Sequence, residues 1–280
     1  GGFQMEMVAR KTRGRPRLAD NEQGAGSVQS LERALALLSV LAGADQATLT
    51  ELSQKTGMPP SSAHRLLMTL QASRFVAFND STSEWCIGVE AFRTGASFLR
   101  RSRLTEMARD MMHDLVDQTG ETANLAVPDG GEVVFISQVE TQQPIRAYFG
   151  HGARAHMHAS GIGKALLAAL ARSDAERRLQ RTGLPQFTPN TLISSDALFA
   201  ELKLTRERGW AVDDEERNLG MRCVASAIYN AHGEPVGGIS ISGPSTRLDR
   251  KAIDTFGPLV KRAAAMITGR IGGSSAAVPA

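Results

Sequence analysis

Three stretches of this sequence are suited to handling anions. In "PPSSAHRLLMTLQ", residues 59–71, Ala63, Leu66, Leu67 and Leu70 recur at the spacing of a buried helical stripe, which leaves Ser61, Ser62, His64 and Arg65 off it. Two hydroxyls, an imidazole and a guanidinium on the open side of a helix suit phosphate oxygens and base edges. In "RGRPR", residues 13–17, Arg13, Arg15 and Arg17 form either a solvated basic tail or an extended strand that adds phosphate or minor-groove contacts. In "HASGIGK", residues 158–164, small residues open a helix, whose free amides and positive dipole end can hold a carboxylate; the same run is equally a plain strand-to-helix turn. It is not a nucleotide loop. The phosphate loop needs Gly where His158 stands and Ser or Thr where Ala165 stands, and the dinucleotide pattern fails at Leu166.

A fourth group lies downstream. "VDDEERNLGMRC", residues 212–223, contains four consecutive acids, which alone read as a solvated loop, and ends in Cys223, which alone reads as a buried strand cysteine. In "SIS", alternation places Ser240 and Ser242 on one strand face. By residue type, Cys223 with His156 or His158 could form a hydrolase, but no spacing brings a base to the thiol, so no catalytic residue is assigned. His156 and His158 share a face without a firm third ligand, so no metal and no cofactor are assigned.

The elements that must position these groups follow from periodicity. "SLERALALLSVLAG" predicts a first helix with Leu31, Ala34, Leu35, Leu38 and Leu41 on one face, Ser30 as its N-cap and Gly43 past its end. "LTELSQKTG" predicts a second helix stopped by Gly57, and the prolines at 59 and 60 open the third. Extended runs at 75–78 and 84–87 around "NDSTS" predict a hairpin, so residues 27–87 read as a winged helix-turn-helix. Residues 88–102 read as a connecting helix. Residues 103–272 read as a second, α+β domain: an amphipathic helix ended by Gly120, strands in "TANLAVPDGGEVVFISQVE" and "IRAYF", a helix from Gly163 to about 171, helical residues near 196–208, strands near 223–229 and 236–242, and a helix at about 249–270. Residues 1–26, poor in large apolar groups, read as a flexible basic arm, and 273–280 as a tail.

Composition bounds the partners. The 280 residues suffice for two cores and carry a net charge of +3. Residues 1–103 hold 13 of the 32 Lys+Arg against 9 of the 29 Asp+Glu, leaving 19 against 20 in the remainder, so the basic excess lies with the predicted helix-turn-helix. The two cysteines, Cys86 and Cys223, suggest neither a disulfide framework nor a zinc finger. No apolar run of about twenty residues occurs and the N-terminal residues lack an apolar signal core, so no membrane partner and a cytoplasmic location are expected.

Taken in order, "SLERALALLSVLA", "LTELSQKTGMPPSSAHRLLMTL", "ASGIGKALLA", "RGWAVDDEERNLGMRCVASAI" and "ISISGP" resemble the IclR family of bacterial transcription regulators over about residues 27–270. The resemblance implies a winged helix-turn-helix joined by a linker helix to a GAF-like effector domain with an antiparallel sheet, assembled as a homodimer or homotetramer on double-stranded operator DNA. It implies a small organic acid held by the amides of Gly161 and Ile162 and by Asp213, Cys223, Ser240 and Ser242, with Ala147 or Tyr148 and Trp210 as apolar walls. One departure is Pro60, which stands in the recognition helix where a basic or polar residue is frequent. "RGRPR" resembles an AT-hook. The expected function is a sequence-specific transcriptional regulator, a repressor, controlled by a carboxylate-bearing metabolite. The alternatives are an enzyme of small acids using Cys223 and a nonspecific architectural DNA-binding protein using the arm.

Overall fold

A computed structural model describes residues 28–101 and 103–274. Arg13, Arg15 and Arg17 lie outside the described residues. The chain divides into two compact units, residues 1–88 and 89–280.

In the first unit, α1 (Gln29–Ala42) leads through the short β1 (Ala47–Thr48) into α2 (Leu49–Thr56), then α3 (Pro60–Ala72), β2 (Val76–Asn79) and β3 (Glu84–Ile87). Thr48 opens α2 with a reciprocal capping box: its hydroxyl accepts from the Glu51 amide, and the Glu51 carboxylate accepts from the Thr48 amide. Gly57 stops α2 in the left-handed region at φ 67°, and Pro60 restarts the chain at the first helical position. β1 and β2 flank β3 in an antiparallel sheet of order β1-β3-β2. Leu37, Leu41, Leu52, Ala63, Leu67, Val76 and Trp85 are buried in its core. Two details of α1 differ from expectation. Val28, not Ser30, occupies the N-cap, and the core takes Leu37 and Leu41, leaving Val28, Leu31 and Leu35 exposed as an apolar strip.

The second unit begins with α4 (Val89–Arg101) and α5 (Leu104–Thr119), which Gly120 ends in the left-handed region. β4 (Thr122–Asp129) and β5 (Glu132–Val139) form the expected hairpin, followed by β6 (Arg154–His156), a single 3-10 turn (Met157–Ala159), α6 (Gly161–Ala168), α7 (Arg172–Thr182), α8 (Ser195–Arg208), β7 (Ala211–Asp214), β8 (Met221–Tyr229), β9 (Pro235–Pro244) and α9 (Arg250–Arg270). The six strands form one antiparallel sheet of order β6-β5-β4-β9-β8-β7. One face packs Leu125, Val224, Ile239 and Ile241 against α5 and α9. The other packs Ala126, Phe135, Ala225 and Ala227 against α6 and α8.

The predicted strand "IRAYF" is instead part of an irregular segment, 140–153. Arg247 takes the Ile145 carbonyl at 2.8 Å, and the edge of β5 is paired by β6. The helix α7 and the strand β7 were not anticipated. The acids of "DDEE" are not a solvated loop throughout, because Asp213 lies in β7 and is 9% exposed while Glu216 is 5% exposed.

Candidate functional site

On the α6 side of the second sheet, polar side chains run across five adjacent strands. Asp213 pairs across to Cys223, and Cys223 to Ser242; one pair along, Ser240 faces Asn124 and Asn124 faces Gln138. The parity that puts Ile239 and Ile241 on the α5/α9 side therefore puts Ser240 and Ser242 on the other. Ser240 and Ser242 are 1% and 2% exposed and Asn124 is fully buried. Cys223 is half-buried.

The first turn of α6 packs on this row at Gly161. Ser160 is its N-cap, accepting from the Gly163 amide at 3.3 Å. Gly161 and Ile162 occupy the first turn, where amides have no helical carbonyl to reach. Only glycine fits at 161: a Cβ there would lie 2.7 Å from Cys223 Sγ. At Gly163 a Cβ would lie 2.3 Å from Met157 Cα, because the 3-10 turn folds back beneath the helix. Both glycines are thus demanded by close approach.

Hydrogen bonds order the row. Gln138 Nε2 donates to Asn124 Oδ1 at 2.8 Å, and Asn124 Nδ2 donates to Ser242 Oγ at 3.2 Å. Ser240 Oγ is buried without a partner. Asp213 Oδ1 accepts from the Glu216 amide at 2.8 Å, which folds the chain after β7 back over the site. Lys164 of α6 is entirely buried and its ammonium donates to Glu216. Burial pushes the Asp213 carboxyl up to about 6 and the Glu216 carboxyl up to about 7, opposed in both by the charge of Lys164. Burial likewise pushes the Cys223 thiol up to about 11, with the Asp213 charge adding to it.

The other expected groups lie elsewhere. Trp210 is on the opposite parity from Asp213, and its ring lies against α9, 2.3 Å from where a Cβ on Gly257 would stand, so it is no wall of this crevice. Ala147 is buried in the 140–153 segment, but the neighbouring Tyr148 is 71% exposed. His158 is fully buried; its Nε2 donates to the Pro185 carbonyl at 3.0 Å, and burial lowers its pKa. His156 lies 3.8 Å from Glu132 through Nδ1. Asn124 and Gln138 join the candidate site from outside every quoted motif, while Lys164 and Glu216 stand inside two of them without having been singled out. Several openings flank this unit, and one of about 740 Å³ beside α5 and β5 takes in Gln138. One of about 570 Å³ lies beside Arg177, Arg178 and Arg181 of α7, where Arg177 already pairs with Asp174 at 3.0 Å. Another, of about 590 Å³, is an apolar groove between Phe92 and Phe98 of α4 and the β4–β5 hairpin.

In the first unit, Ser61, His64 and Arg65 are exposed and Ser62 half-buried on α3, while Ala63 and Leu67 fill the core. The His64 ring meets Trp85 of the wing edge to face at 6.4 Å. The open face of α3 therefore carries Ser61, His64 and Arg65, with Met68 also exposed.

Two family profiles match these units: the IclR helix-turn-helix domain over residues 30–80, and the C-terminal domain of bacterial transcriptional regulator IclR over residues 96–268. The chain belongs to the IclR family. The IclR-family chain is 46% identical over 264 residues to the HTH-type transcriptional regulator BhcR of Paracoccus denitrificans, covering 93% of this chain and 94% of the relative. It is 40% identical over 264 residues to the transcriptional repressor IclR of Escherichia coli, covering 93% and 96%. Among solved structures, an IclR homologue from Microbacterium hydrocarbonoxydans complexed with 4-hydroxybenzoate superposes with a TM-score of 0.73 at 20% identity, covering 86% of this chain and 98% of that one, which shows the shared fold.

Proposed function

We propose that this chain is a sequence-specific transcriptional repressor of the IclR family whose operator binding is controlled by a small carboxylate-bearing metabolite held in the crevice between α6 and the sheet. The observation that carries the reading is the close approach of the first turn of α6, at Gly161, to Cys223 of a row that also holds a buried, unpartnered Ser240 hydroxyl. A carboxylate leaving water needs several donors, and the first-turn amides of Gly161 and Ile162 with the two serine hydroxyls supply them. Asp213, when ionised, repels a carboxylate and accepts instead from a hydroxyl or hydrate on the ligand, which favours an oxygenated small acid. The same fold holds a small hydroxy acid in the Microbacterium homologue.

Ser61, Ser62, His64 and Arg65 of α3 read the operator, and Arg13, Arg15 and Arg17 add phosphate or minor-groove contacts. The chain acts as a homodimer or homotetramer in the cytoplasm, and the apolar strip Val28, Leu31 and Leu35 on α1 is surface that such an assembly would cover. Catalysis by Cys223 is disfavoured because a nucleophilic thiol is held low by neighbouring cations, whereas burial and Asp213 push this one up to about 11.

A thermal-shift panel tests the reading. Oxo, hydroxy and semialdehyde acids of two to four carbons are screened against acetate and butyrate. A ligand bound only by the folded chain raises its melting temperature by mass action. The reading expects at least one oxygenated acid to raise it and to remain unconverted after incubation. Turnover of that acid, or a shift with the plain acids alone, contradicts it.

A further inference from the structure

Asn124 is the one buried carboxamide of the polar row, and every element of its environment gives it a direction. It is fully buried on β4, between β9 and β5. Its Oδ1 is occupied by Gln138 Nε2–H at 2.8 Å from one side, and its Nδ2–H is given to Ser242 Oγ at 3.2 Å on the other. A hydroxyl has one proton and two lone pairs. When Ser242 Oγ receives the Asn124 proton, its own proton remains to be given elsewhere. Ser242 is the direct cross-strand partner of Cys223 on the same face of the sheet, and the thiol feels the hydroxyls of both Ser240 and Ser242. Were the amide reversed, Ser242 would donate back to Asn124 Oδ1 and show the crevice only lone pairs, the wrong sign for an anion.

We propose that Gln138 and Asn124 are positioning residues which, through the directed chain Gln138 to Asn124 to Ser242, hold the Ser242 hydroxyl as a hydrogen-bond donor toward Cys223 and the effector. In the observed arrangement Gln138 turns its Nε2–H to Asn124, which meets it with the carbonyl end and keeps the NH₂ end for Ser242. The consequence for the effector rests on the reading of the crevice given above, but the polarity of the chain does not, and it can be measured without any acid bound.

Cys223 is the reporter, with Cys86 replaced by serine. Alkylation by iodoacetamide at about pH 9 follows the thiolate fraction, and a donor at Ser242 raises that fraction. Asn124→Asp offers Ser242 only an acceptor and so withdraws its proton from the sulfur. It is expected to slow alkylation roughly three- to tenfold, as Ser242→Ala does. The added charge alone would also slow the reaction, and a double-mutant cycle separates the two effects. In the Ser242→Ala background the slowing by Asn124→Asp is expected to shrink to the residue due to charge. Gln138→Leu, at a half-buried position that tolerates change, leaves Asn124 free to reverse and is expected to slow alkylation more weakly, again only when Ser242 is present. Equal slowing by Asn124→Asp with and without the Ser242 hydroxyl overturns the proposal, and so does no slowing by Gln138→Leu. If the cycle comes out as expected yet no acid shifts the melting temperature, the polarity stands and the effector reading fails.

Discussion

Lys164 has no exposed surface, and its ammonium meets Glu216 with Asp213 in the same field. Removing one partner of such a pair leaves a buried charge, which costs about 3–5 kcal/mol, whereas replacing both by apolar groups costs far less. Lys164→Met should therefore destabilise strongly, and Lys164→Met with Glu216→Leu should recover most of the loss. The pH dependence has a definite sign. Both carboxyls are raised on folding, from ordinary values of 3.8 and 4.5 to about 6 and about 7, so their favourable share is present below the ordinary values and is lost as pH rises through 6 to 7. Without Lys164 that loss deepens. Urea unfolding should show a larger deficit for Lys164→Met at pH 8 than at pH 5.5; an equal deficit at both would show that the pair is not electrostatically coupled. On α3, Arg65→Ala should weaken operator binding by roughly 1–3 kcal/mol while sparing a scrambled duplex, as loss of a base contact does. Equal losses on both duplexes would make it a phosphate contact.

At the scale of elements, α6 meets β8 closely at Gly161. Gly161→Ala would place a methyl 2.7 Å from Cys223 Sγ, so the helix must withdraw, at a cost of about 1–3 kcal/mol. Gly161→Ala paired with Cys223→Ala should regain most of that stability, as thermal melting would show; no recovery would mean that the clash lies elsewhere. The helices with strong punctuation were legible in the sequence. Gly57, Pro60 and Gly120 stand where the backbone needs a left-handed residue or a missing amide. Less was legible where tertiary contacts decide. The expected stripe holds at Leu38 and Leu41, but packing against α2 and α3 adds Leu37 and leaves Leu31 and Leu35 exposed. "IRAYF" has strand composition, yet Arg247 and β6 take the hydrogen bonds a strand would need. The helix α7, four of whose eleven residues are arginine, lacks the apolar periodicity that reveals a helix, since only Ala175 and Leu179 are buried.

Across the whole molecule, the candidate site draws on residues from 124 to 242, and only part of it could be read beforehand. Gly161, Ile162, Asp213, Cys223, Ser240 and Ser242 were marked by family motifs, and the sheet brings Asp213, Cys223 and Ser242 into adjacent paired positions. Asn124 and Gln138 are single polar residues in ordinary strands, and their only signal was a carboxamide at an inward position of the β4–β5 hairpin. Lys164 ends a run that fails the phosphate-loop pattern, and nothing in the sequence gives it a role until the fold shows Glu216 beside it. Trp210 was misplaced because strand parity, not sequence proximity to Asp213, decides which face it joins. The two units carry the two proposed activities separately, so damage to the crevice should leave effector-free operator affinity nearly unchanged. The measurement that tests the central claim most directly is operator release against concentration of whichever panel acid raises the melting temperature most, for the wild-type chain and Ser242→Ala. The account predicts equal affinity without the acid and a release curve displaced to at least tenfold higher acid for the variant, about 1.4 kcal/mol for a lost hydrogen bond to a charged group. Superposed release curves would place the effector outside this crevice and contradict the account.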